Sequence, residues 1–388
     1  MKKNWMLIAA VLLCSCSNGT EVIGTREGST IIVDASNVRD TVEIPLSKWI
    51  KELEIVQLAS PSQEAFVGTP ALTISDNYIG TRESGQPYKL FDRHTGEFIR
   101  TIGHLGRGPG EYRMLYSSQI DEAADRVYLM PWTTDYILVY DLEGNRLDPI
   151  PLSIRAPKGH FRADSKNRKV IVSITPFAGS ADKVVWEQDF EGNMIQGVDA
   201  APFTLVPDYS NEVIRFGNTR EYDFFLGAVS PVEHNGQADY LYYYNTGTNA
   251  LEPVFLLNTS SLDRSGSFIF RSYNELPDYF IGNVTTITPL YVQAGQSQTY
   301  EYQYLFVNKK DLTGAWFHLN NDFLGLKNIE PSFGGGYYSQ SLDPLSFIDI
   351  LKEAEAKGDA TLSAGRIRSL LSSLDEEGNN VLIIGKLK

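Results

Sequence analysis

The chain has 388 residues, of which 42% are hydrophobic and 21% charged, with a formal net charge of −14. An acidic balance of this size repels nucleic acid and anionic lipid headgroups, so neither is an expected partner of the folded part. Two cysteines, Cys14 and Cys16, rule out a disulfide framework or a cysteine-based metal centre.

The N-terminus reads as a processing signal. Lys2 and Lys3 precede an apolar stretch from Trp5 to Leu13 that is too short to span a bilayer as a permanent helix. It closes on Leu13-Cys14-Ser15-Cys16, in which the small Ser15 makes Cys16 the expected lipidated residue and residues 1–15 the leader. Loss of that leader takes the charge to −16 and leaves Cys16 as the only cysteine. Residues 16–30 are small and polar and are expected to form a flexible tether. The sole acid among the first residues after Cys16 is Glu21, which favours an outer-membrane anchor facing the periplasm over the cell surface.

From residue 31 on, a turn phrase recurs. It runs Asp92-Arg93-His94-Thr95-Gly96, then Asp141-Leu142-Glu143-Gly144-Asn145, then Asp189-Phe190-Glu191-Gly192-Asn193, at steps of 49 and 48 residues. Looser copies start at Asn245 and Asn308, after steps of 56 and 63. In the turns at Asp141 and Asp189, Asp and Asn can cap local backbone groups while Gly takes positive φ. Strand-like runs lie beside the turns: Arg126–Trp132, Lys169–Ile174, Tyr240–Tyr244 and Thr299–Val307. A period near 50 residues with strand-turn-strand content predicts an all-β radial array of four-stranded blades over residues 31–388. Six blades fit the length. The sixth draws on 315–338, on the final strand Asn380–Lys388 and on 42–58, so that strands from the two ends close the ring. A helical insertion is expected at 340–375. Leu345, Ile348, Leu351 and Ala354 form one stripe ended by Gly358, and Ile367, Leu370 and Leu371 form a second, both packing on the last blade.

Phe91-Asp92-Arg93, Phe98-Ile99-Arg100, Ile102-Gly103 and Gly108-Pro109-Gly110-Glu111-Tyr112 together resemble the signature of the six-bladed β-propeller lipoproteins abundant in Bacteroidetes. The lead-in Leu46–Leu58 and the closing Asn380–Ile383 also resemble that family. The resemblance implies a propeller fold and a lipid anchor, and it implies no activity.

Chemistry is sparse along the chain. The five histidines show no zinc-ligand spacing, and no Gly-x-Ser-x-Gly elbow or sialidase-type Asp box occurs. No metal and no cofactor is therefore expected. Asp121–Asp125 and Asp164–Asn167 are read as strand turns. The Gly108–Tyr112 segment is either a structural crossover between blades or, through Arg107, Glu111 and Tyr112, a ligand contact. Trp132, His160, Arg162, Arg215 and Arg271 lie where blade connections would face a central funnel, and an exposed Trp132 could stack on a sugar ring. The expected function is a non-enzymatic binding or interaction module for glycan, peptide or an envelope protein. The rival is a glycan-cleaving hydrolase or lyase built from loop carboxylates.

Overall fold

Short apolar runs separated by Asp, Asn and Gly turns fold into successive antiparallel meanders. The computed structural model describes residues 19–176, 181–204, 212–219, 221–227, 240–262, 268–292 and 295–388. The first blade comprises Ala71–Ile74, Tyr78–Arg82, Tyr88–Asp92 and Phe98–Ile102. The second comprises Leu115–Asp121, Arg126–Pro131, Thr133–Tyr140 and Ile150–Pro157, and the third His160–Asp164, Lys169–Ser173, Lys183–Asp189 and Met194–Asp199. The fourth is Glu212–Ile214, Tyr222–Gly227, Leu241–Asn245 and Ala250–Asn258, and the fifth Phe268–Glu275, Tyr279–Val292, Gly295–Asn308 and Thr313–Asn321. The first strand of blade two touches the first strands of blades one and three, which sets the inner strands around a common axis. Polar side chains tie those inner strands together: Thr73 Oγ1 lies 2.7 Å from Ser118 Oγ, and Gln119 Nε2 donates to Ala163 O at 2.8 Å while Ala163 N donates back. The result is an all-β, propeller-like arrangement.

The recurring phrase forms the turn between the third and fourth strands of each of these five blades. Asp92 Oδ1 accepts from the backbone N–H of His94 and Thr95, and Asp141 and Asp189 accept from Asn145 and Asn193. Gly96, Gly144 and Gly192 take φ of 76°, 83° and 86°, the left-handed region that an L side chain resists. The Thr95 N–H, the main influence, holds the Asp92 carboxyl below its ordinary range.

The expectation of six blades is corrected in one respect: five are continuous meanders. Of the segments assigned to the sixth, 315–321 and 42–45 join the blade-five sheet instead, and the others contribute to a composite four-stranded sheet of Phe333–Gly334, Tyr337–Leu342, Val381–Lys386 and Glu54–Gln57. Its third strand is the C-terminal one and its fourth comes from near the N-terminus, with Val381 opposite Gln57 and Ile384 opposite Glu54. No hairpin joins these two strands, so no turn phrase marks this sheet in the sequence.

The tether expected at 16–30 is also corrected for its described part. Gly24–Glu27 pairs with Thr30–Asp34, which runs parallel to the outer strand of blade four, Ile31 opposite Phe255. Glu21–Val22 and Thr41–Pro45 lie along the outer strand of blade five. Outer strands carry a row of unpaired backbone groups, and the N-terminal segment satisfies them on two adjacent blades before entering the composite sheet. Cys16 and the leader lie outside the described residues.

The helical insertion connects the second and third strands of the composite sheet as α1 (Pro344–Lys357) and α2 (Ala364–Ser373). Asp343 caps α1 by accepting from Ser346 N, and Gly358 ends it at φ 68°. The buried face of α1 is Phe347, Ile348, Leu351 and Ala354; Leu345, expected on it, is 57% exposed. The stripe turns because the aromatic Phe347 enters the core shared with Trp49, Phe333, Ile367 and Ile383. No helix among the described residues is long and apolar enough to cross a membrane.

Candidate functional site

Chain direction sorts the connections onto two ends of the array. At one end lie the hairpins within each blade, short and capped by their own side chains. At the other lie the crossovers between blades and the links between second and third strands, which include both helices. A cleft of about 440 Å³ opens at this second end between the blade-one-to-two crossover and the second-to-third link of blade two. Arg107, Glu111, Tyr112, Trp132, Asp135 and Tyr136 are among its lining residues.

The crossover is a small self-supporting loop. His104–Leu105 pairs in parallel with Glu111–Tyr112, and Gly108 N donates to Glu111 Oε2 at 2.7 Å. That carboxylate fills the space beside Gly106, where an added Cβ would stand 1.9 Å from Glu111 Oε2. Tyr112 is buried; its hydroxyl donates to Ile102 O at 2.7 Å and accepts from Tyr88 N at 2.6 Å. Burial pushes its phenol well up from the ordinary tyrosine range. The hydroxyl of Tyr112 is thus spent on the crossover, and one Glu111 oxygen is spent on the loop. Arg107, in contrast, is exposed, as is Arg113 beside it.

Across the cleft the backbone is irregular in a useful way. The pairing of Thr133–Tyr140 with Ile150–Pro157 shifts register between Thr134 and Tyr136, a bulge in which Thr134 Oγ1 both donates to Tyr136 O and accepts from Tyr136 N. A bulge re-aims the side chains beside it. Tyr136 is 36% and Trp132 38% exposed. Trp132 is fixed by its backbone, its N–H donating to Met114 O at 2.9 Å and its carbonyl accepting from Lys158 N at 2.7 Å. Two aromatic rings, two exposed guanidiniums and the Asp135 carboxylate, ion-paired to Arg155 at 3.0 Å, therefore share one opening.

His160 and Arg162 stand apart from this cleft, on the inner strand of blade three. Arg162 is exposed there. The His160 ring meets Tyr116 at 6.0 Å, brought there by a second register shift between Leu115 and Ser117. Burial, and after it the charges of Arg82 and Arg215, push the His160 imidazole down to about 3. Next to it Lys158 Nζ lies 2.6 Å from Glu212 Oε1; burial pushes the Glu212 carboxyl up, to about 7, against the pull of that ammonium. Arg82 and Tyr136 were not singled out from the sequence. Arg82 sits in an ordinary strand end, and the bulge that presents Tyr136 leaves no local pattern.

The most buried carboxylates among the described residues each face a cation of their own blade. Glu275 receives Lys309 and the Tyr243 hydroxyl, Glu187 lies 3.1 Å from Lys169, and Asp223 lies 3.9 Å from Arg215. Among the described residues no group of three His, Cys, Asp or Glu side chains is placed to hold a metal ion. A second cleft of about 360 Å³ runs along blade five beneath the exposed, mutually stacked Tyr300 and Tyr302, whose centroids are 6.5 Å apart.

Fold and cleft define an all-β, propeller-like protein with an aromatic and polar opening on its crossover end. The chain belongs to the family described as Domain of unknown function (DUF4934), whose model matches residues 29–386. No curated protein matches it. Among solved structures, it is similar to a Bacteroides fragilis NCTC 9343 protein named "Putative exported protein", at 16% identity and TM-score 0.56, covering 90% of this chain and 98% of that one. A member of the duf4221 family from Bacteroides vulgatus matches at 10% identity and TM-score 0.46, covering 87% and 97%. The first likeness supports the fold alone, and the second carries no argument.

Proposed function

We propose that this chain is a non-enzymatic binding module of the cell envelope whose ligand, a glycan, seats in the cleft beside Trp132. The observation that carries this reading is the pairing of exposed, backbone-anchored aromatic rings with Arg107, Arg113 and Asp135. A sugar offers an apolar C–H face to an indole and an edge of hydroxyls to charged side chains, and that combination matches the opening. A backbone fixed before binding lowers the entropy cost of presenting these rings. Peptide is the other ligand class such a surface accepts, and the binding screen separates the two. The hydrolase reading is disfavoured because the most buried carboxylates each face a cation of their own blade, whereas glycan cleavage needs two acids flanking an accessible bond.

Three further elements belong to this reading. The composite sheet acts as a sixth blade that closes the ring. Cys16 carries the lipid anchor that ties the chain to the outer membrane, facing the periplasm, in keeping with the Ser15-Cys16 junction and with the exported description of the B. fragilis neighbour. Arg107 and Trp132 contact the ligand directly, while Glu111 and Tyr112 hold the loop.

The test is a glycan and peptide screen of the leaderless chain by intrinsic tryptophan fluorescence and calorimetry. Trp49 and Trp186 are buried and Trp316 is half-buried with its Nε1 donating to Val38 O, so the Trp132→Ala variant assigns any emission shift to Trp132 by its loss. Trp132→Ala should weaken binding by about tenfold or more with unchanged melting. Binding that survives Trp132→Ala and Arg107→Ala at full strength would place the ligand elsewhere.

A further inference from the structure

We propose that the second cleft, between blade five and the composite sheet, is a saccharide site in its own right and takes a neutral sugar unit. It rests on its own lining and not on the reading of the cleft beside Trp132.

Strand lengths create this cleft. The second and third strands of blade five run for 14 residues each, whereas the first strand of the composite sheet beside them is the two-residue Phe333–Gly334. So short a neighbour leaves part of the blade-five face uncovered, and Glu330, Pro331 and Ser332, which lead into it, complete the lining of about 360 Å³. Alternation along the third strand puts both Tyr300 and Tyr302 on the cleft side. They are 50% and 59% exposed, with ring planes 13° apart and centroids at 6.5 Å. Two large rings side by side in water mark a contact surface, and their faces suit the apolar C–H face of a sugar ring.

Beneath the rings the lining is polar and uncharged. Thr285 Oγ1 donates to Asn283 Oδ1 at 2.7 Å, and Ser272 Oγ donates to the same oxygen at 3.5 Å. Thr285 and Asn283 are both buried. With their protons spent on Asn283, the two hydroxyls act as acceptors, while Asn283 Nδ2, whose bond to Gln303 O is a long 3.4 Å, keeps a second proton to donate. Each sugar hydroxyl both donates and accepts, so neighbouring hydroxyls of one ring match this set. No Lys, Arg or His is among the lining residues, and the one charge is the exposed Glu330 carboxylate, which disfavours an acidic sugar. Arg271, on the same strand as Ser272, is not part of the lining, because consecutive residues of a strand face opposite sides. The Trp132 cleft, with Arg107 and Arg113, has the contrary charge pattern.

The experiment uses the complete leaderless chain carrying Trp132→Ala, which removes the other cleft from the measurement. The probes are the neutral tetrasaccharides of cellulose, amylose and mannan, a galacturonic-acid tetrasaccharide, and the uncharged peptide acetyl-Ser-Val-Thr-Tyr-Ser-Val-amide. Saturation-transfer NMR and calorimetry should show a neutral tetrasaccharide bound and the acid held about tenfold more weakly. Adding Tyr302→Ala should weaken the neutral sugar about tenfold, whereas Tyr302→Phe should not, since the ring and not its hydroxyl makes the contact. Asn283→Ala should weaken it as well; should that variant fail to fold, as judged by circular dichroism, the exposed Tyr302 still carries the test. The proposal is overturned if no neutral tetrasaccharide binds, if the acid binds as tightly, or if Tyr302→Ala binds like its parent. Binding of the peptide in place of the sugars, lost in Tyr302→Ala, would assign the cleft to an extended polypeptide, and self-association lost in Tyr302→Ala would assign it to a second copy of the chain. Either result overturns the proposal. Failure of the Trp132 reading shows separately, as glycan binding by the wild type that Trp132→Ala leaves unchanged.

Discussion

The junction between blade one and the composite sheet should depend on Arg93. Its side chain is 5% exposed and forks onto Glu54, Nη2 to Oε1 at 2.5 Å and Nε to Oε2 at 3.1 Å. Nη1 also donates to Ser75 O and to the Tyr337 hydroxyl, each at 3.0 Å. Arg93→Ala removes all four bonds and leaves Glu54 unpaired. Breaking a fully buried pair costs about 3–5 kcal/mol, but Glu54 is 29% exposed and water can reach it, which places the loss at about 2–4 kcal/mol. With an unfolding entropy of about 2.1 cal/mol/K per residue over about 370 residues, that corresponds to a fall in melting temperature of roughly 3–5 °C. Calorimetric melts of wild type, Arg93→Ala, Glu54→Gln and the double variant should give a coupling of about 1–2 kcal/mol. The coupling should persist in high salt, because a buried pair is poorly screened. Lys386→Ala is the internal control, since its ion pair with Asp76 at 3.0 Å is exposed and should cost under about 0.5 kcal/mol. A coupling near zero, or a Lys386→Ala loss equal to that of Arg93→Ala, would refute the view that the buried fork secures this junction.

Gly96→Ala should destabilise more than Gly144→Ala although both glycines have positive φ. A Cβ at Gly96 would stand 2.1 Å from Gln57 O of the composite sheet, whereas the closest atom at Gly144 is the flexible Arg100 Cδ at 3.3 Å. The expected losses in urea unfolding are about 3 kcal/mol or more against about 1 kcal/mol. Removing residues 1–36 should uncover the outer edge of blade four at Phe255–Asn258 and produce dimers or aggregates in size-exclusion chromatography, while the full leaderless chain stays monodisperse. His160, held to about 3, binds fewer protons folded than unfolded between pH 3 and the ordinary histidine value, so its contribution to stability rises with pH through that window. His160→Gln should therefore lose about 1–3 kcal/mol less than wild type between pH 7 and pH 4 in denaturant titrations, and an identical acid slope would contradict the burial of that ring.

Much of the architecture was local and hence readable in the sequence. A turn that places Gly at positive φ and caps itself with Asp has few chemical solutions, so three of them at steps of 49 and 48 residues announced the meanders, and two looser copies, in which Asn249 and Leu312 take the positive φ, extended the series. The α1 boundaries were readable for the same reason, Asp343 and Gly358 acting within a single turn. The composite sheet had no such mark, because its outer strand is supplied by residues about 320 positions away and needs no turn. The strand character of residues 21–34 escaped notice likewise: a short polar segment becomes a strand only when an outer edge offers it hydrogen bonds.

For the site, the sequence by itself determined the crossover loop with Arg107, Glu111 and Tyr112 and marked Trp132 as an aromatic at a connection. Tertiary structure decided which of these groups remain available, because burial and hydrogen bonding depend on neighbours from other blades. Tyr112 spends its hydroxyl on Tyr88 and Ile102, while Trp132 keeps its ring at the surface.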